Sequence, residues 1–452
     1  MFPRLLRSGS AERPVLRAGA VVLTRAELRA AVTRAAGALR ETGVGDCSCL
    51  LFRPVPSVEF VVRLLAVLDL GAQAVVLDHR LPGEVVTAVG SVVGATHEIR
   101  SDRPLPPSRG CVVDRPVTVR RGGAGRRSAA SLLQVSSGTT STPKLCARSD
   151  ADIDGEIEDY RALGGLAAPG ESIVLAASLA SAWGVYGGLV TALANDAQLV
   201  LCESLTPRGV LGAVEACAGP VRLLSVPSQV LMLSSLAAAP ANLHAVYTSG
   251  GGLSREEADR IAASASLGGR TAGQVYGMTE VGLIAADLDG ATPGSVGRFG
   301  PRVRPSVRPD GALWLAREAS PYVGHGSADD RWSDGWFDTR DAVRVDDGGT
   351  VTVLGRTDGQ ISLGGKKVYL AEIEAHLRAD PSIQDAVVFI TGMRLDAFVQ
   401  VRDEAGYDER RAIGRLPEYM RPHGVHVLPD LPRTPSGKVS RQVARYPGLP
   451  QR

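Results

Sequence analysis

The segment Ser136–Lys144, SSGTTSTPK, carries residue types that suit the binding of a phosphate group. It directly follows an apolar run, Leu132–Val135, that is typical of a buried strand. Small hydroxyl residues and Gly138 let backbone N–H groups approach a polyanion, and Lys144 adds a positive charge. The common P-loop pattern G-x-x-x-x-G-K-[ST] is absent, and this lysine follows a proline. Taken alone, the segment is a phosphate-binding loop or a polar turn after a strand, and we favour the phosphate-binding loop.

The same segment resembles the phosphate-binding loop of the adenylate-forming superfamily. This superfamily contains acyl-CoA synthetases, aryl-acid ligases, peptide-synthetase adenylation domains and luciferases. Its pattern is close to S-G-[ST]-T-G-x-P-K-G, and here Ser141 and Leu145 replace the second and last glycines. The stretch PKLCARSD is similar to the PKLIxRTH form of aryl-acid activators. The resemblance implies that the phosphates of ATP contact the loop residues Ser136, Ser137, Gly138, Thr139, Thr140 and Lys144.

Residues 276–280, YGMTE, resemble the family motif Y-G-x-T-E. The resemblance implies that Tyr276, with Gly277 next to it, lies along the adenine, that Thr279 donates to the α-phosphate and that Glu280 holds Mg²⁺. The chemistry agrees, because a ring can stack on a base and a carboxylate is a hard ligand for a hard cation. By itself, however, the segment fits equally well a strand-to-loop corner with a surface glutamate.

The stretch SGGGLS at 249–254 resembles the family motif S-G-G-A-x-L. Its glycines Gly250, Gly251 and Gly252 would let the adenine or the acyl group lie against bare backbone. A plain turn explains this segment alone more often than a binding surface does.

Two later segments resemble parts of the family that hold the ribose and mark the domain boundary. DGWFDTRD at 334–341 is similar to D-G-W-F-x-T-G-D, which implies that Asp341 binds the ribose hydroxyls. Arg340 replaces the glycine of that motif, and a positive φ carries a steric cost for arginine. GRTDGQISLGGKKVYLAEIE at 355–374 resembles the hinge segment of the family. It implies that Arg356 reaches the ribose and that Asp358 is the hinge.

The last motifs concern the second half of the reaction and the catalytic lysine. Gly364 and Gly365 resemble the family's glycine pair that lines a channel for an incoming thiol. PRTPSGKV at 432–439 resembles PRTxxGKV, which implies that Lys438 is the catalytic lysine. A lysine close to the carboxylate and the α-phosphate would stabilise charge during attack on phosphorus.

The acid-binding pocket is predicted from SLASAWG at 178–184, where many relatives have a segment like PLFHxYG. Ser181 occupies the aromatic or histidine position of that segment. Ala182 follows where amino-acid activators carry aspartate and dihydroxybenzoate or salicylate activators carry asparagine. The sequence therefore disfavours α-amino acids and, less strongly, salicylate-like acids. Trp183 and Tyr186 indicate a mainly apolar pocket for an aryl or modest acyl acid, although both rings would equally suit plain core packing.

Alternating strand and helix patterns must position these motifs. Thr24-x-x-Glu27 has capping-box spacing before a helix at 24–42, and CSCLLF at 47–52, a helix from Ser57 and AVVL at 74–77 follow. This order predicts a parallel sheet covered by helices. Further strands are predicted at 132–135, 172–177, 197–201, 223–226, 245–248 and 273–277.

The domain organisation follows from changes in this pattern. The fold class is α/β, with a large N-terminal domain of βα subdomains over residues 1–355 and a small β-rich subdomain near 296–317. Residues 356–452 form a small mobile α+β domain that carries the catalytic lysine. The stretch 101–130 is rich in Pro, Gly and Arg and is predicted to be a surface loop.

Composition excludes several other classes of protein. The chain has 452 residues, a net charge of +2 from 50 basic and 48 acidic groups, and 44% hydrophobic residues. This balance provides no general attraction to nucleic acid or membrane, so no such partner is expected. The N-terminus lacks a signal-peptide core, and no apolar run reaches the ~20 residues of a membrane helix. We expect a soluble cytoplasmic protein whose six cysteines are reduced thiols.

The resemblance covers nearly the whole chain and implies an acid–thiol ligase that uses ATP and Mg²⁺. A carboxylic acid would become an acyl-AMP, with release of pyrophosphate, and the acyl group would pass to coenzyme A or to the pantetheine of an acyl carrier protein. Two alternatives remain open. The acceptor could be an amine or another nitrogen nucleophile, or the chain could be an inactive nucleotide-binding relative. The replacements at Ser141, Leu145 and Arg340 are what supports inactivity.

Overall fold

A computed structural model describes residues 2–102, 105, 108–135, 144–235, 240–324, 331–357, 360–363, 366–391, 394–404, 406–414, 416, 420–434 and 437–449. The chain forms two compact units. The first unit comprises Met1–Val303 and Pro321–Asp329, and the second comprises Arg304–Ser320 and Asp330–Arg452. The predicted boundary between residues 355 and 356 falls within the second unit and stays a prediction.

The helices and strands are numbered here in chain order. The helices are α1 (Phe2–Arg7), α2 (Arg25–Glu41), α3 (Val58–Asp69), α4 (Gly83–Val93), α5 (Asp150–Ala162), α6 (Thr191–Ala194), α7 (Pro207–Glu215), α8 (Pro227–Leu233), α9 (Arg255–Ala262), α10 (Leu370–Arg378) and α11 (Glu409–Gly414). A π-helix spans Trp183–Val190, and 3₁₀ turns span Ala265–Leu267 and Val443–Arg445. Among the described residues, no helix combines the length and the hydropathy that crossing a bilayer requires.

The strands are β1 (Pro14–Ala18), β2 (Val21–Thr24), β3 (Cys49–Arg53), β4 (Gln73–Val76), β5 (His97–Arg100), β6 (Val117–Arg120), β7 (Leu132–Val135), β8 (Leu145–Arg148), β9 (Ser172–Leu175), β10 (Gln198–Leu201), β11 (Val221–Ser225), β12 (Leu243–Ser249), β13 (Ala272–Met278), β14 (Gly282–Asp287), β15 (Arg298–Phe299), β16 (Pro305–Val307), β17 (Ala312–Ala316), β18 (Tyr322–Val323), β19 (Trp332–Ser333), β20 (Trp336–Val345), β21 (Val351–Arg356), β22 (Gln360–Leu363), β23 (Lys366–Tyr369), β24 (Ile383–Thr391), β25 (Arg394–Val401) and β26 (Gly424–Leu428).

One sheet of the first unit runs in the order β15-β14-β13-β12-β11-β9-β10-β1-β2. The strands from β13 to β1 in this order are parallel, and the outer pairs are antiparallel. All four residues of β9 are buried, as expected for a parallel strand with helices on both faces. This sheet contains the strands that the sequence predicts at 172–177, 197–201, 223–226, 245–248 and 273–277. The segments from which a parallel sheet is predicted, 47–52 and 74–77, form β3 and β4, which pair in parallel in another sheet.

A second sheet of the first unit runs in the order β18-β8-β7-β4-β3-β5-β6. Here β7, β4, β3 and β5 are parallel to one another, while β8 pairs antiparallel with β7. One core cluster contains residues of both sheets and of the helices, such as Leu16, Phe52, Phe60 and Leu199. Burial of this shared apolar surface holds the two sheets in one unit.

The predicted start of the first long helix is confirmed in atomic detail. The Thr24 hydroxyl accepts a hydrogen bond from the Glu27 backbone N–H at 3.2 Å, and the Glu27 carboxylate accepts from the Thr24 N–H at 2.8 Å. Two of the N–H groups at the helix start are thereby satisfied. The apolar positions of α2, including Leu28, Val32 and Leu39, are buried.

The Arg-rich stretch after residue 116 is more ordered than a plain surface loop. Its first residues form β6, which pairs with β5. Arg121 contacts the Glu98 carboxylate at 2.5 Å, and Arg126 donates to the backbone oxygens of Gly71 and Ala129 at 2.8 and 2.7 Å. These arginines therefore bind the protein's own acceptors.

The cysteines differ in exposure. Cys47 is exposed and precedes β3, whereas Cys49 begins that strand and is buried. Burial raises the pKa of Cys49, Cys111 and Cys202 to about 12, so these thiols stay protonated and unreactive at neutral pH.

The described residues of the second unit form three sheets. The first has the order β16-β17-β20-β19, with β21 also paired to β20. It includes β16 and β17 of the β-rich stretch that the sequence predicts near 296–317, whereas β15 of that stretch pairs with β14 in the first unit. Strands β22 and β23 form a hairpin, and β24, β25 and β26 form the third sheet. Helix α10 packs on that sheet through a core cluster that includes Ile373, Leu377, Val388 and Ala397. The C-terminal part thus has an apolar core of its own.

Candidate active site

The carboxyl ends of parallel strands bring several predicted site segments to one edge of the first sheet. Ser181–Trp183 follow β9, the glycines 250–252 follow β12, and Tyr276 lies near the end of β13. Ser249 pairs with Val275, so Gly250 and Tyr276 are the next residues on neighbouring strands. In open α/β sheets this edge is where ligands commonly bind.

The glycine turn after β12 leaves uncovered backbone at this edge. Gly250 has a φ of +84°, a conformation that favours glycine. A Cβ on Gly251 would lie 3.6 Å from Pro227, and a Cβ on Gly252 would meet nothing within 4 Å. Space therefore exists next to Gly252 for a flat group to approach the main chain.

The turn between β13 and β14 holds Thr279 and Glu280. Glu280 is 5% exposed, and its Oε1 accepts a hydrogen bond from the Tyr322 hydroxyl at 3.0 Å. The Nζ of Lys144 lies 4.9 Å from the centroid of the Tyr322 ring. The predicted phosphate-binding lysine and the predicted metal-binding carboxylate therefore meet at one tyrosine. Tyr322 could not be predicted as a site residue, since no spacing in the sequence relates it to Lys144 or Glu280.

The predicted phosphate loop is bounded by paired strand ends. Strand β7 spans the predicted residues 132–135, and Val135 pairs with Leu145 of β8. The segment from 136 to 144 thus connects two adjacent positions of a hairpin. The loop residues Ser136, Ser137, Gly138, Thr139 and Thr140 lie outside the described residues, and their roles stay predictions.

A buried glutamine joins β7 to the segment after β9. The Nε2 of Gln134 donates to the backbone oxygen of Ala180 at 3.0 Å, and Gln134 is only 2% exposed. Among the residues that the structure describes, its Oε1 has no hydrogen-bond partner. The strand before the phosphate loop is thereby tied to the backbone next to the predicted acid pocket.

The predicted acid-pocket residues are fixed largely by backbone hydrogen bonds. The Ser181 hydroxyl donates to the Ser178 oxygen at 2.7 Å and accepts from the Gly184 N–H at 3.0 Å. The Trp183 Nε1 donates to the Ser225 oxygen at 3.0 Å, and its ring is buried. Ala182 is half-buried at the start of the π-helix. π-helical turns are frequent at functional sites, and this one was not predicted from the sequence.

The buried ion pair of Arg148 and Glu156 lies next to the ring of Tyr186, which belongs to the π-helix. Arg148 contacts the Glu156 carboxylate, which also accepts from the Tyr160 hydroxyl at 3.1 Å, and the Arg148 guanidinium lies 4.7 Å from the Tyr186 ring centroid. Burial raises the pKa of the Tyr160 and Tyr186 phenols, so both remain neutral. Gly282 has a φ of +83°, which favours glycine, and a Cβ there would lie 2.6 Å from this guanidinium. Tyr186 therefore packs against a charged pair in the core.

In the second unit, the two predicted ribose-binding residues are cross-strand neighbours. Asp341 of β20 pairs with Arg356 of β21, and the Arg356 guanidinium lies 3.4 Å from the Asp341 Oδ1. Arg356 also donates to the Thr339 oxygen at 3.2 Å. The two residues thus place one carboxylate beside one cation. Asp341 is nearly buried, with 7% of its surface exposed.

The backbone before Asp341 adopts the left-handed conformation that the family's glycine would favour. Arg340 has a φ of +57°. Its N–H donates to the Asp338 Oδ1 at 2.8 Å, and the Arg340 oxygen accepts from the Thr357 hydroxyl at 3.2 Å. These bonds stabilise a conformation that costs about 1–2 kcal/mol for a residue with a Cβ. The replacement of glycine therefore leaves the local backbone shape in place.

The predicted catalytic lysine lies on a tight turn. Lys438 is exposed, and its oxygen accepts from the Thr434 N–H at 2.7 Å. Arg433 donates to the Gly437 oxygen at 3.1 Å and to the Asp385 carboxylate at 3.0 Å. Arg433 thereby ties the residues next to Lys438 to β24. Asp358, Gly364 and Gly365 lie outside the described residues, so the hinge and the thiol channel stay predictions.

The donor chemistry of Glu280 fits Mg²⁺. Mg²⁺ is commonly held by one or two carboxylates together with phosphate oxygens and water, so one oriented carboxylate is enough when ATP supplies the rest. Within the described ranges, no group of three or more His, Cys, Asp or Glu side chains is placed to hold a metal ion by itself.

Comparison with known families decides the membership of the chain. The model of the AMP-binding enzyme family matches residues 7–312, more than half of the chain, and that of the AMP-binding enzyme C-terminal domain matches residues 372–438. The chain belongs to the AMP-binding enzyme family. The predicted membership of the adenylate-forming superfamily is thereby confirmed, and Lys438 is the last residue that the C-terminal match includes.

Two of the curated relatives that the chain resembles are named for aryl acids. It is 27% identical to the p-hydroxybenzoic acid–AMP ligase FadD22 of Mycobacterium marinum over 352 residues, which cover 70% of this chain and 49% of the relative. It is 24% identical to the 3,4-dihydroxybenzoate–[aryl-carrier protein] ligase of Bacillus anthracis, covering 69% of this chain and 73% of the relative. The chain thus spans about half the length of the first relative, and between 2% and 23% of several larger ones.

A solved structure confirms the fold. The anthranilate CoA ligase AuaEII, in complex with anthranoyl-AMP, superposes with a TM-score of 0.82 at 18% identity, covering 97% of this chain and 95% of the other. The predicted mixed α/β class, with a large N-terminal and a small C-terminal part, is therefore correct.

Proposed function

We propose that this protein activates a small carboxylic acid, of the aryl or modest acyl class, by adenylation and then transfers the acyl group to a thiol. The observation that carries the proposal is the meeting of Lys144 and Glu280 at Tyr322, at the carboxyl edge of the first sheet. A cation and an oriented carboxylate that contact the same tyrosine suit a phosphate chain with its counterion. Membership of the family supplies the reaction class.

In the first half-reaction, a carboxylate oxygen of the acid would attack the α-phosphorus of ATP. The bond from phosphorus to the bridging oxygen breaks, and pyrophosphate leaves with the electron pair. Carboxylates are weak nucleophiles, so the protein's contribution is positioning and charge neutralisation. Mg²⁺, held by Glu280, would neutralise part of the negative charge on the phosphates when bound.

Separate side chains would bind the phosphates, the adenine and the ribose of ATP. Lys144 and Thr279 would contact phosphate oxygens, and Tyr276 would stack on the adenine against the uncovered backbone at Gly252. Asp341 would accept from the ribose hydroxyls, with Arg356 next to it. Lys438 would balance the charge that develops between the acid and the α-phosphate.

In the second half-reaction, the sulfur of coenzyme A or of a carrier-protein pantetheine would attack the acyl carbon. The bond from that carbon to the AMP oxygen breaks, AMP leaves with the electron pair, and the thiol proton passes to solvent. The names of the relatives support both acceptors, since one is an aryl-carrier-protein ligase and another is a CoA ligase.

Exchange of radiolabelled pyrophosphate into ATP tests the first half-reaction. The panel should contain hydroxybenzoic and aminobenzoic acids, medium-chain acyl acids and α-amino acids. We expect exchange with aryl or acyl acids and none with α-amino acids, because Ala182 offers no carboxylate to an α-ammonium group. No exchange with any acid would contradict the proposal and favour a nucleotide-binding relative without catalysis.

Mass spectrometry of the products tests the acceptor. The active acid and ATP would be incubated with coenzyme A, with a pantetheinylated aryl carrier protein, or with a set of primary amines. A thioester supports the proposal. An amide formed at a higher rate than any thioester would replace it by transfer to nitrogen.

A further inference from the structure

Tyr322 contacts two groups that the proposed function assigns to the ATP site. Its hydroxyl donates to the Glu280 Oε1 at 3.0 Å, and its ring centroid lies 4.9 Å from the Lys144 Nζ. Tyr322 is 7% exposed and Glu280 is 5% exposed. The hydrogen bond between Tyr322 and Glu280 therefore lies where water screens charge poorly, and Lys144 is half-buried.

Each contact limits the freedom of the group that it touches. A buried carboxylate needs donors to offset its desolvation, and a donor at a fixed position also sets the direction of its oxygens. An ammonium group within about 6 Å of a ring centroid is attracted to the ring face. The phenol therefore orients Glu280, and the ring orients Lys144.

The backbone of Tyr322 is itself fixed by the strand that Lys144 precedes. Tyr322 pairs with Cys146, and Val323 pairs with Leu145, the residue after Lys144. The Ala147 N–H also donates to the Pro321 oxygen at 2.8 Å. The tyrosine and the lysine are thus positioned by the same short stretch of β8, and a shift of one would carry the other with it.

We propose that Tyr322 is a positioning residue that orients the metal-binding carboxylate through its hydroxyl and the phosphate-binding lysine through its ring. Groups that hydrogen-bond to a ligating carboxylate commonly tune metal affinity about 10–100-fold. The hydroxyl and the ring therefore have separable effects. Loss of the hydroxyl weakens metal binding, and loss of the ring weakens phosphate binding as well. This inference rests on the proposed function.

Two substitutions separate the roles. Tyr322→Phe keeps the packed ring and removes only the hydroxyl, whereas Tyr322→Leu removes both. Tyr247→Phe is the matched control, because it removes another buried phenol hydroxyl of the same unit, one that accepts from Arg222 at 3.4 Å outside the predicted site. Thermal unfolding of each variant shows that the fold is kept.

The affinities of each variant for Mn²⁺ and for ATP are the quantities to measure. Mn²⁺ affinity of the protein–ATP complex is measured by electron paramagnetic resonance, and ATP affinity in EDTA is measured by calorimetry. We expect Tyr322→Phe to weaken Mn²⁺ about tenfold with unchanged ATP affinity in EDTA. We expect Tyr322→Leu to weaken ATP in EDTA about threefold in addition. Tyr247→Phe should change neither affinity.

Four outcomes would count against the inference or its basis. Unchanged Mn²⁺ affinity in Tyr322→Phe, or an equal loss in Tyr247→Phe, would overturn the positioning role. Unchanged ATP affinity in Tyr322→Leu would overturn the part that concerns Lys144. A wild-type protein that binds neither ATP nor Mn²⁺ with ATP would instead contradict the proposed function.

Discussion

Glu280 and Asp341 are both nearly buried carboxylates, but their surroundings suit different ligands. The Tyr322 hydroxyl orients Glu280 without adding charge, since a phenol is a neutral donor. Arg356 places a positive charge 3.4 Å from Asp341. The first arrangement suits a carboxylate that has to attract a cation. The second suits one that accepts hydrogen bonds from neutral hydroxyls, as on a ribose.

Lys438 is predicted to act in the adenylation half-reaction and not in acyl transfer. Lys438→Ala should slow ATP–pyrophosphate exchange by roughly 10²–10³-fold, because a charge aimed at the reacting phosphate is lost. Thioester formation from supplied acyl-AMP should be nearly unchanged, since that step involves no attack on phosphorus. Both rates can be measured on the same preparation with one acid.

The exposed Arg410 of α11 offers a matched control for the lysine. Arg410→Ala also removes one cation from the second unit and should leave both half-reactions unchanged. Equal losses in the two half-reactions of Lys438→Ala would contradict the role assigned to this lysine.

Gln134 gives the second prediction. Gln134→Leu removes the donor to the oxygen of half-buried Ala180, and the loss of one such hydrogen bond costs about 0.5–1.5 kcal/mol. Because Ala180 lies next to Ser181–Trp183, we expect the KM for the acid to rise about fivefold while the KM for ATP stays unchanged. Steady-state kinetics with each substrate varied in turn makes the measurement.

Gln73 provides the control for this effect. It is another buried glutamine, on the neighbouring strand β4, and its Nε2 donates to the Ala130 oxygen at 2.7 Å. It precedes Ala74, the partner of Leu132, at the opposite end of these strands from Gln134. Gln73→Leu should cost similar stability without altering either KM. A rise in the acid KM in both variants would show that general loosening of the sheet, not the bond to Ala180, is responsible.

Helices and strands that depend on local sequence patterns could be predicted, whereas contacts between residues far apart in the chain could not. The apolar run at β7 and the capping box at α2 depend on neighbouring residues, so spacing alone predicts them. Tyr322 meets Glu280 across 42 residues through the pairing of β18 with β8, and no local pattern encodes such a pairing. The π-helix after Ala182 similarly depends on packing of the surrounding core.

Strand β20 carries the third prediction, at Arg340. Because its φ of +57° is costly for arginine, Arg340→Gly should raise the free energy of unfolding by roughly 0.5–1 kcal/mol, after the greater flexibility of glycine in the unfolded chain is allowed for. Urea unfolding measures the change. Exchange activity should be retained, since the family motif itself has glycine at this position.

At Arg344, further along β20, we expect substitution by glycine to have the opposite effect on stability. It is exposed and lies in the regular part of the strand, where glycine costs about 0.5–1 kcal/mol relative to alanine. Arg344→Gly should therefore lower stability. If Arg340→Gly lowers it equally, the side-chain contacts of Arg340 outweigh the backbone cost.

At the scale of the whole molecule, the residues predicted to bind ATP are divided between the two compact units. Lys144, Tyr276 and Glu280 belong to the first unit, and Asp341 and Lys438 belong to the second. The order of the family motifs along the chain predicted all of these residues, because each motif is recognisable by itself. The contacts within each unit, such as Asp341 with Arg356, required the structure.

The hinge provides the last prediction. The family resemblance implies that the backbone at Asp358 changes its torsion angles between the two half-reactions. Proline fixes φ near −65°, so Asp358→Pro should leave pyrophosphate exchange nearly unchanged and slow thioester formation about 100-fold or more. Asp358→Asn keeps the torsional freedom and should leave both rates nearly unchanged. Measuring exchange and thioester formation in parallel separates the two steps, and a normal second step in the proline variant would place the hinge at another residue.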